Sequence, residues 1–367
     1  MKNDAKTESV DTTTKPVWSC NEWDPLEEVI VGVAENAVVP VWSPSLESTT
    51  PDHAKWFFEK YGGQPFPDDM IPKAAAELDG LVATLERFGV TVHRPTPLPF
   101  EQSVQTPWWQ SQGLYAAMPR DVLMVIGDII IEAPMAWRSR YFEIFAYRDL
   151  IEQLFRDGAR WLAAPKSTMS DAFYNQAYDP DVPVVDGERQ FVVAEKEVAF
   201  DAADFFRCGT DIFVQKSNVT NAMGIEWVRR HIGPEFTVHE VQFGDDYPMH
   251  IDTTVVPLAP GKLLINPMWV TEIPKQFASW DILEAPAPVK PYDSALYFSS
   301  DWLTMNILSV DEKHIIVEEH EEPLMKLLSQ HGFEPVPIPF RNFYPFGGSV
   351  HCATADIRRR GSLQSYL

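Results

Sequence analysis

A single α+β domain built as a ring of five strand–strand–helix–strand units is the architecture this sequence predicts, and three observations carry the prediction. A hairpin, a helix and a return strand follow one another repeatedly along the chain. The turns of the third, fourth and fifth hairpins, at Gly209, Gly261 and Glu312, are spaced by about 51 residues. A strand left over near Cys352 completes the first unit if it pairs with the N-terminal strand at residues 29–31. Units of this kind are satisfied by packing side by side around a common axis. An unrelated mixed α/β sheet is the competing architecture, because short hairpins can fall into a fixed period by chance.

Taken in order, residues 1–18 read as a mobile tail, polar and mixed in charge up to Lys15, ahead of a domain spanning 19–367. Leu26-Glu27-Glu28-Val29-Ile30-Val31 is a strand stopped by Gly32. Residues 38–67 carry Pro and Trp and read as an irregular segment draped over a surface. Leu78, Leu81, Val82, Leu85 and Phe88 recur at helical spacing, and Gly89 ends that helix. Val90-Thr91-Val92-His93 is the return strand. The second unit has a hairpin turning at Gly127-Asp128, a helix through Ile144, Tyr147, Ile151, Leu154 and Phe155, and a strand near Trp161-Leu162. The third turns at Cys208-Gly209, with a helix through Ile225 and Val228 and a strand at residues 237–241. The fourth turns at Ala259-Pro260-Gly261, with a short helix near Phe277 and a strand at Ile282-Leu283. The fifth turns at Asp311-Glu312-Lys313, with a helix through Leu324, Leu327 and Leu328 and a strand at residues 336–338.

Composition limits the function. With 367 residues, 45% of the chain hydrophobic and 12% of the chain aromatic, it can bury a large core, which excludes disorder for most of its length. A net charge of −23 excludes a nucleic-acid partner, since phosphate neutralisation needs clustered Lys and Arg. The acidic field would attract cationic small molecules, although solubility explains the charge equally well. Cys20, Cys208 and Cys352 lie far apart, without a disulfide framework or zinc-ligand spacing, as expected of a reducing compartment. No apolar run approaches the roughly 18 residues of a membrane span, and no secretory signal is seen. A cytoplasmic enzyme with no membrane contact is the expectation, and a homodimer the default assembly.

Polar residues collect at the hairpin ends, which in a ring can converge on the axis. These are Gly127-Asp128, Phe200-Asp201-Ala202-Ala203-Asp204-Phe205, Pro248-Met249-His250-Ile251-Asp252, Ser299-Ser300-Asp301-Trp302 and Cys352. Cys352 follows His351, with Gly347-Gly348 before it and Arg358-Arg359-Arg360 beyond. Nearby cations would favour its thiolate, while a buried Cys acting as a small hydrophobe is the commoner fate of a free thiol. Several carboxylates suit a planar guanidinium, whose five N–H donors form a fixed fork. A thiolate could add to the guanidino carbon, with His250 giving and taking protons. The scattered histidines argue against a metal, and no phosphate-binding glycine loop is present. Cys20, Cys208 and His93, His231, His239, His314, His320 and His331, outside any such grouping, read as bystanders.

These stretches, with Glu132-Ala133-Pro134-Met135, Gly224-Ile225-Glu226-Trp227 and Leu363-Gln364-Ser365-Tyr366, carry a resemblance that covers nearly everything from Asn21 onward. The chain resembles the amidinotransferases, above all the L-arginine:glycine amidinotransferases and the related enzymes of guanidine-bearing natural-product pathways. The resemblance implies a five-bladed α/β-propeller (pentein), with five ββαβ modules around a pseudo-fivefold axis. It implies Cys352 as the nucleophile that carries the amidino group, His250 as general acid and base, and Asp201 as its partner. It places Asp128, Asp252, Ser299 and Ser300 at the donor. L-arginine enters, ornithine leaves, and a small amine acceptor takes the group from sulfur, with no cofactor and no metal. Where the glycine-using vertebrate-type enzyme has Asn-Pro-Asp-Arg, this chain reads Asn266-Pro267-Met268-Trp269, and it has Tyr247 where that enzyme has Asn. Glycine is the first acceptor expected, with lysine, another ω-amino acid or a natural-product amine close behind. An arginine deiminase-type hydrolase and a non-catalytic guanidino-compound binding protein are the alternatives.

Overall fold

The computed structural model describes residues 15–50, 55–67, 69–180, 182–245, 247–290 and 300–367. Ser299, one of the expected donor residues, lies outside them. The first strand, β1 (Leu26–Val31), leads to two short helices, α1 (Pro44–Thr49) and α2 (Lys55–Tyr61), within the segment expected to be irregular. Ser43 caps α1, its Oγ accepting from the Leu46 N–H at 3.4 Å, and Phe57 and Phe58 anchor α2 in the core. Helix α3 (Met70–Arg87) buries Ala74, Leu78, Leu81 and Leu85 on one stripe. It stops where Gly89 takes a φ of +80°. Strand β2 (Thr91–His93) returns parallel to β1. A small hairpin, β3 (Val104–Gln105) and β4 (Gln110–Ser111), follows.

The second unit opens with a single turn, α4 (Pro119–Val122). Strands β5 (Leu123–Ile126) and β6 (Ile129–Glu132) pair antiparallel, and α5 (Arg148–Arg156) leads to β7 (Arg160–Ala163), parallel to β6. Both hairpin strands are buried along their whole length, which explains their continuous apolar runs. Phe155, expected on the buried stripe of α5, is exposed and packs edge-on against Trp161 at the surface. After a second small hairpin, β8 (Val184–Val185) and β9 (Glu188–Arg189), the third unit runs β10 (Phe205–Cys208), β11 (Asp211–Gln215), α6 (Ala222–His231) and β12 (Thr237–Val241). The fourth has β13 (Val255–Ala259), β14 (Lys262–Ile265) and β15 (Asp281–Glu284). Its expected helix is one 3₁₀ turn, Lys275–Phe277. The fifth has β16 (Leu308–Ser309), β17 (His314–Glu318), α7 (Glu322–Gln330) and β18 (Glu334–Ile338). Each unit is a three-stranded sheet whose first two strands are antiparallel and whose last two are parallel.

The last strand, β19 (Thr354–Arg359), pairs antiparallel with β1, Val31 opposite Thr354 and Val29 opposite Asp356. The C-terminal strand therefore joins the first unit's sheet, as the leftover-strand reading expects. Cys352 itself sits in the turn ahead of β19 rather than within a strand. The expected tail is also shorter at its inner end. Val17 and Trp18 are buried, and the Trp18 N–H donates to the Ile357 carbonyl at 2.9 Å.

Where the first strands approach one another the core turns ionic. Arg207 of β10 donates to both carboxylate oxygens of Glu22 (2.7 and 2.6 Å) and to Asp356 of β19 (2.6 Å). Arg120 of α4 reaches Asp356 (3.0 Å) and lies 3.6 Å from Glu22, and Arg359 closes on Asp356 at 2.8 Å. All five side chains are buried. Such groups persist inside only when paired, because a lone buried charge costs several kcal/mol. Among the described residues, no helix is long and apolar enough to cross a membrane.

Candidate active site

The residues ahead of each unit's first strand come together. Asp121 lies on α4 before β5, and Asp201 begins the 3₁₀ turn before β10. His250 and Asp252 precede β13, Asn306 precedes β16, and Cys352 precedes β19. Each unit contributes to one buried cluster. His250 Nε2 is 3.0 Å from Asp201 Oδ2, and its Nδ1 is 3.5 Å from Asp121 Oδ1. The imidazole is held between two carboxylates by a backbone with φ +65°, an unusual value for a residue with a Cβ. The Ile251 N–H, donating to the Ala203 carbonyl at 3.0 Å, pins the segment.

Asn306 organises the cysteine. Its Nδ2 donates to Cys352 Sγ (3.1 Å) and to Asp252 Oδ2 (2.8 Å). Its Oδ1 accepts the N–H groups of Ser349 (3.1 Å) and Cys352 (3.0 Å). Sγ is 3.5 Å from Asp252 Oδ2, and His351 Nδ1 donates to that same oxygen at 2.7 Å. Gly348 is required by proximity, since a Cβ there would stand 2.6 Å from that of Cys352. Arg140 backs the cluster, donating to both oxygens of Glu143 (2.7 and 2.9 Å) and to Asp121 Oδ2 (2.6 Å).

The electrostatics follow from burial and acidity. Burial opposes the charge on His250, but Asp121, Asp201 and Asp204 outweigh it and raise the imidazole to about 10. Burial, then Asp252 and Asp121, push the Cys352 thiol well above its ordinary value, against the pull of the Asn306 hydrogen bond. This corrects the expectation that the arginine run would favour a thiolate. Arg358 pairs with Glu27 and Glu28, Arg359 with Asp356, and Arg360 lies 3.9 Å from Glu27. Burial raises Asp121, Asp204 (to about 6) and Glu143 (to about 7). For Asp252 burial is outweighed only by several groups together, the His351 hydrogen bond and charge foremost, then His250 and Arg120, so its carboxyl stays below the usual range.

Of the expected site residues, Cys352, His250, Asp201 and Asp252 are brought together. Asp128 is not. It occupies the β5–β6 turn, at the opposite end of that hairpin from Asp121, part-exposed and paired with Lys15 (3.1 Å) and Arg160 (3.2 Å). Hairpin turns and hairpin openings face opposite ends of a unit, so the residue equivalent to Asp201 is Asp121. Ser300 Oγ accepts from the Trp302 N–H at 3.0 Å and makes no hydrogen bond to the cluster among the described residues. The sequence reading missed Asp121, Arg140, Glu143, Asn306 and His351 as site residues. Asp121 was open to discovery, because Pro119-Arg120-Asp121 stands before a first strand as Asp201 does. Among the described residues the grouping of metal-capable side chains is Glu318, Glu319 and His320. There Glu318 is engaged by Arg341 (3.1 Å) and His320 (2.7 Å), outside this cluster.

No protein-family model matches the chain, but it is similar to several known proteins. It is 49% identical over 354 residues to the L-arginine:L-lysine amidinotransferase of Pseudomonas savastanoi pv. phaseolicola, covering 96% of this chain and 97% of that one. It is 48% identical over 358 residues to the mitochondrial glycine amidinotransferase of Danio rerio, covering 96% and 85%. The solved structure of SxtG, an amidinotransferase of the saxitoxin biosynthetic pathway of Microseira wollei, superposes with a TM-score of 0.91 at 48% identity, covering 96% and 100%. A dimethylarginine dimethylaminohydrolase shares the fold at 13% identity, with a TM-score of 0.56 over 90% of this chain and 99% of that one.

Proposed function

This chain belongs to the amidinotransferases, and from that membership we propose that it moves the amidino group of L-arginine to an amine through Cys352 and releases L-ornithine. One observation carries the donor half. Among the described residues Asp121 Oδ1, Asp201 Oδ1 and Asp252 Oδ1 are buried carboxylate oxygens without a hydrogen-bond partner, the first two acids flanking His250 and the third beside the Cys352 thiol. Buried acceptors left unpaired are costly, and a guanidinium offers planar N–H donors and the compensating charge. Asp121 takes the place first given to Asp128, and Ser300 stays a donor-binding expectation from the resemblance.

The same acidity sets the order of events. In the free enzyme the thiol is held neutral, so the arriving cation supplies the charge that favours ionised sulfur. Sγ forms a bond to the guanidino carbon while that carbon's bond to the δ-nitrogen breaks. The leaving nitrogen takes a proton from His250, and the thiol proton replaces it in net terms. In the return half an amine attacks the amidino carbon, the C–S bond breaks, and one amine proton restores the thiol. Asp201, at 3.0 Å, keeps the imidazole oriented throughout.

For the acceptor, Trp269 and Trp302 stand 6.5 Å apart, and Met268, next to Trp269 in the chain, and Tyr247, three residues before His250, are exposed. This apolar rim favours an amine longer than glycine, and lysine is the first to test. The five sheets, each lending a residue to one site, support the five-bladed propeller about a pseudo-fivefold axis. The test is purified protein with L-arginine and a panel of amines, read by mass spectrometry. Ornithine released only when an amine is present, with one amidino mass on the Cys352 peptide, supports transfer. Citrulline and ammonia from arginine alone would mean hydrolysis instead.

A further inference from the structure

We propose that His351 is a positioning residue for the donor site, fixing Asp252 against the buried ionic core so that one carboxylate oxygen stays free for the guanidinium. The inference rests on the reading of Asp252 as a donor contact. His351 lies beside the nucleophile, but its ring points away from proton transfer to sulfur. Nδ1 is 2.7 Å from Asp252 Oδ2, and a carboxylate can only accept there, so Nδ1 carries the hydrogen. The opposite nitrogen, Nε2, faces Glu22 Oε2 at 3.8 Å. Glu22 is in turn clamped by both arms of Arg207 and lies near Arg120. The imidazole thus spans two acids, one at the site and one in the rigid core.

That placement divides the work of Asp252. Its Oδ2 is taken by Asn306, His351 and the thiol, while Oδ1 is buried without a hydrogen-bond partner among the described residues. Two donors on one oxygen fix the rotation of the carboxylate, and the free oxygen is thereby aimed. The charged and titratable groups acting on Asp252 are His351, His250 and Arg120, with Cys352 at its other side and Glu22 across the ring. Of these, His351 is the one in direct hydrogen-bond contact that favours the ionised acid.

Two substitutions separate the two nitrogens. The amide of His351→Asn reaches the Nδ1 position and keeps a donor for Asp252, whereas that of His351→Gln reaches toward Nε2 and loses it. For H351Q the KM for arginine should rise about tenfold or more, the scale of one charge-assisted hydrogen bond, with a smaller change in kcat. The acid limb of kcat/KM for arginine should move up by about one pH unit, because burial then raises Asp252 unopposed by the ring. H351N should rescue most of the KM loss and keep the wild-type acid limb. If H351Q does not fold, a displaced acid limb in H351N is enough to overturn the proposal, since its donor is retained. Equal impairment of both variants with unmoved acid limbs would also overturn it, reducing His351 to packing. A wild-type protein that forms no ornithine with any amine sinks the donor reading itself, a result distinct from active wild type with an unaffected H351Q.

Discussion

Asp121→Asn is the sharpest single perturbation of the site. The change is isosteric and removes one charge from a carboxylate whose Oδ2 meets Arg140 at 2.6 Å and whose Oδ1 lacks a hydrogen-bond partner among the described residues. If Oδ1 receives a guanidinium N–H, one charge-assisted hydrogen bond is lost. About 1.5–3 kcal/mol is then missing from transition-state binding, a fall in kcat/KM of about 10- to 150-fold. A second effect acts through the imidazole. Asp121 is the foremost group raising His250 to about 10 against its burial, so without it that value falls. If, as proposed, the protonated imidazole serves the leaving nitrogen, the alkaline limb of kcat should move to lower pH. Initial rates of ornithine release across a pH series, at several arginine concentrations, measure both quantities. Asp128→Asn is the control. Its ion pairs are part-exposed and worth at most about 1 kcal/mol each, so kinetics within about twofold of wild type are expected. D121N with wild-type KM and an unmoved alkaline limb, or D128N with the large defect, would refute this assignment.

Stability should fall as pH rises. His250 is raised from 6.5 to about 10, so its contribution is complete below pH 6.5 and lost as pH climbs through about 10. Glu143, raised from 4.5 to about 7, acts in the same direction between those values, and thermal melts from pH 6 to pH 10 should show a declining Tm. Cys352 in the free enzyme should be alkylated slowly by neutral iodoacetamide near pH 7 and much faster by a cationic haloacetamidine. Equal rates, followed by intact mass, would contradict a neutral thiol among acids. Gly348→Ala places a methyl 2.6 Å from the Cys352 Cβ and 3.0 Å from its sulfur, so kcat should fall at least about tenfold. Circular dichroism should show the fold retained, and an unimpaired G348A would mean that the loop has slack.

What the residues disclosed in advance, and what they withheld, has a physical pattern. Hairpins such as β5–β6 were legible because unbroken apolar runs flank a turn glycine, and the pairing of the last strand with β1 followed from counting strands. The helices at residues 44–49 and 55–61 were not, because seven residues or fewer show too little periodicity. Cys352, His250, Asp201 and Asp252 stood out as chemical types in short motifs. Asn306 and Arg140 act only through partners far along the chain, which no local window contains. A hairpin's turn, where Asp128 sits, and its opening, where Asp121 sits, lie at opposite ends of a unit, which residue types alone do not show. The protonation of Cys352 was misread because charge proximity was inferred from sequence neighbours, whereas the groups nearest in space are Asp252 and Asp121.

The pairing of β19 with β1 also imposes a schedule on biosynthesis. The two strands are separated by more than 300 residues, so the contact beside Cys352 is among the last the polypeptide can make. A nascent chain halted before residue 354 leaves β1 with a bare hydrogen-bonding rim, an invitation to join another molecule's strand. Competence for catalysis and protection from aggregation are thus acquired in the same late step.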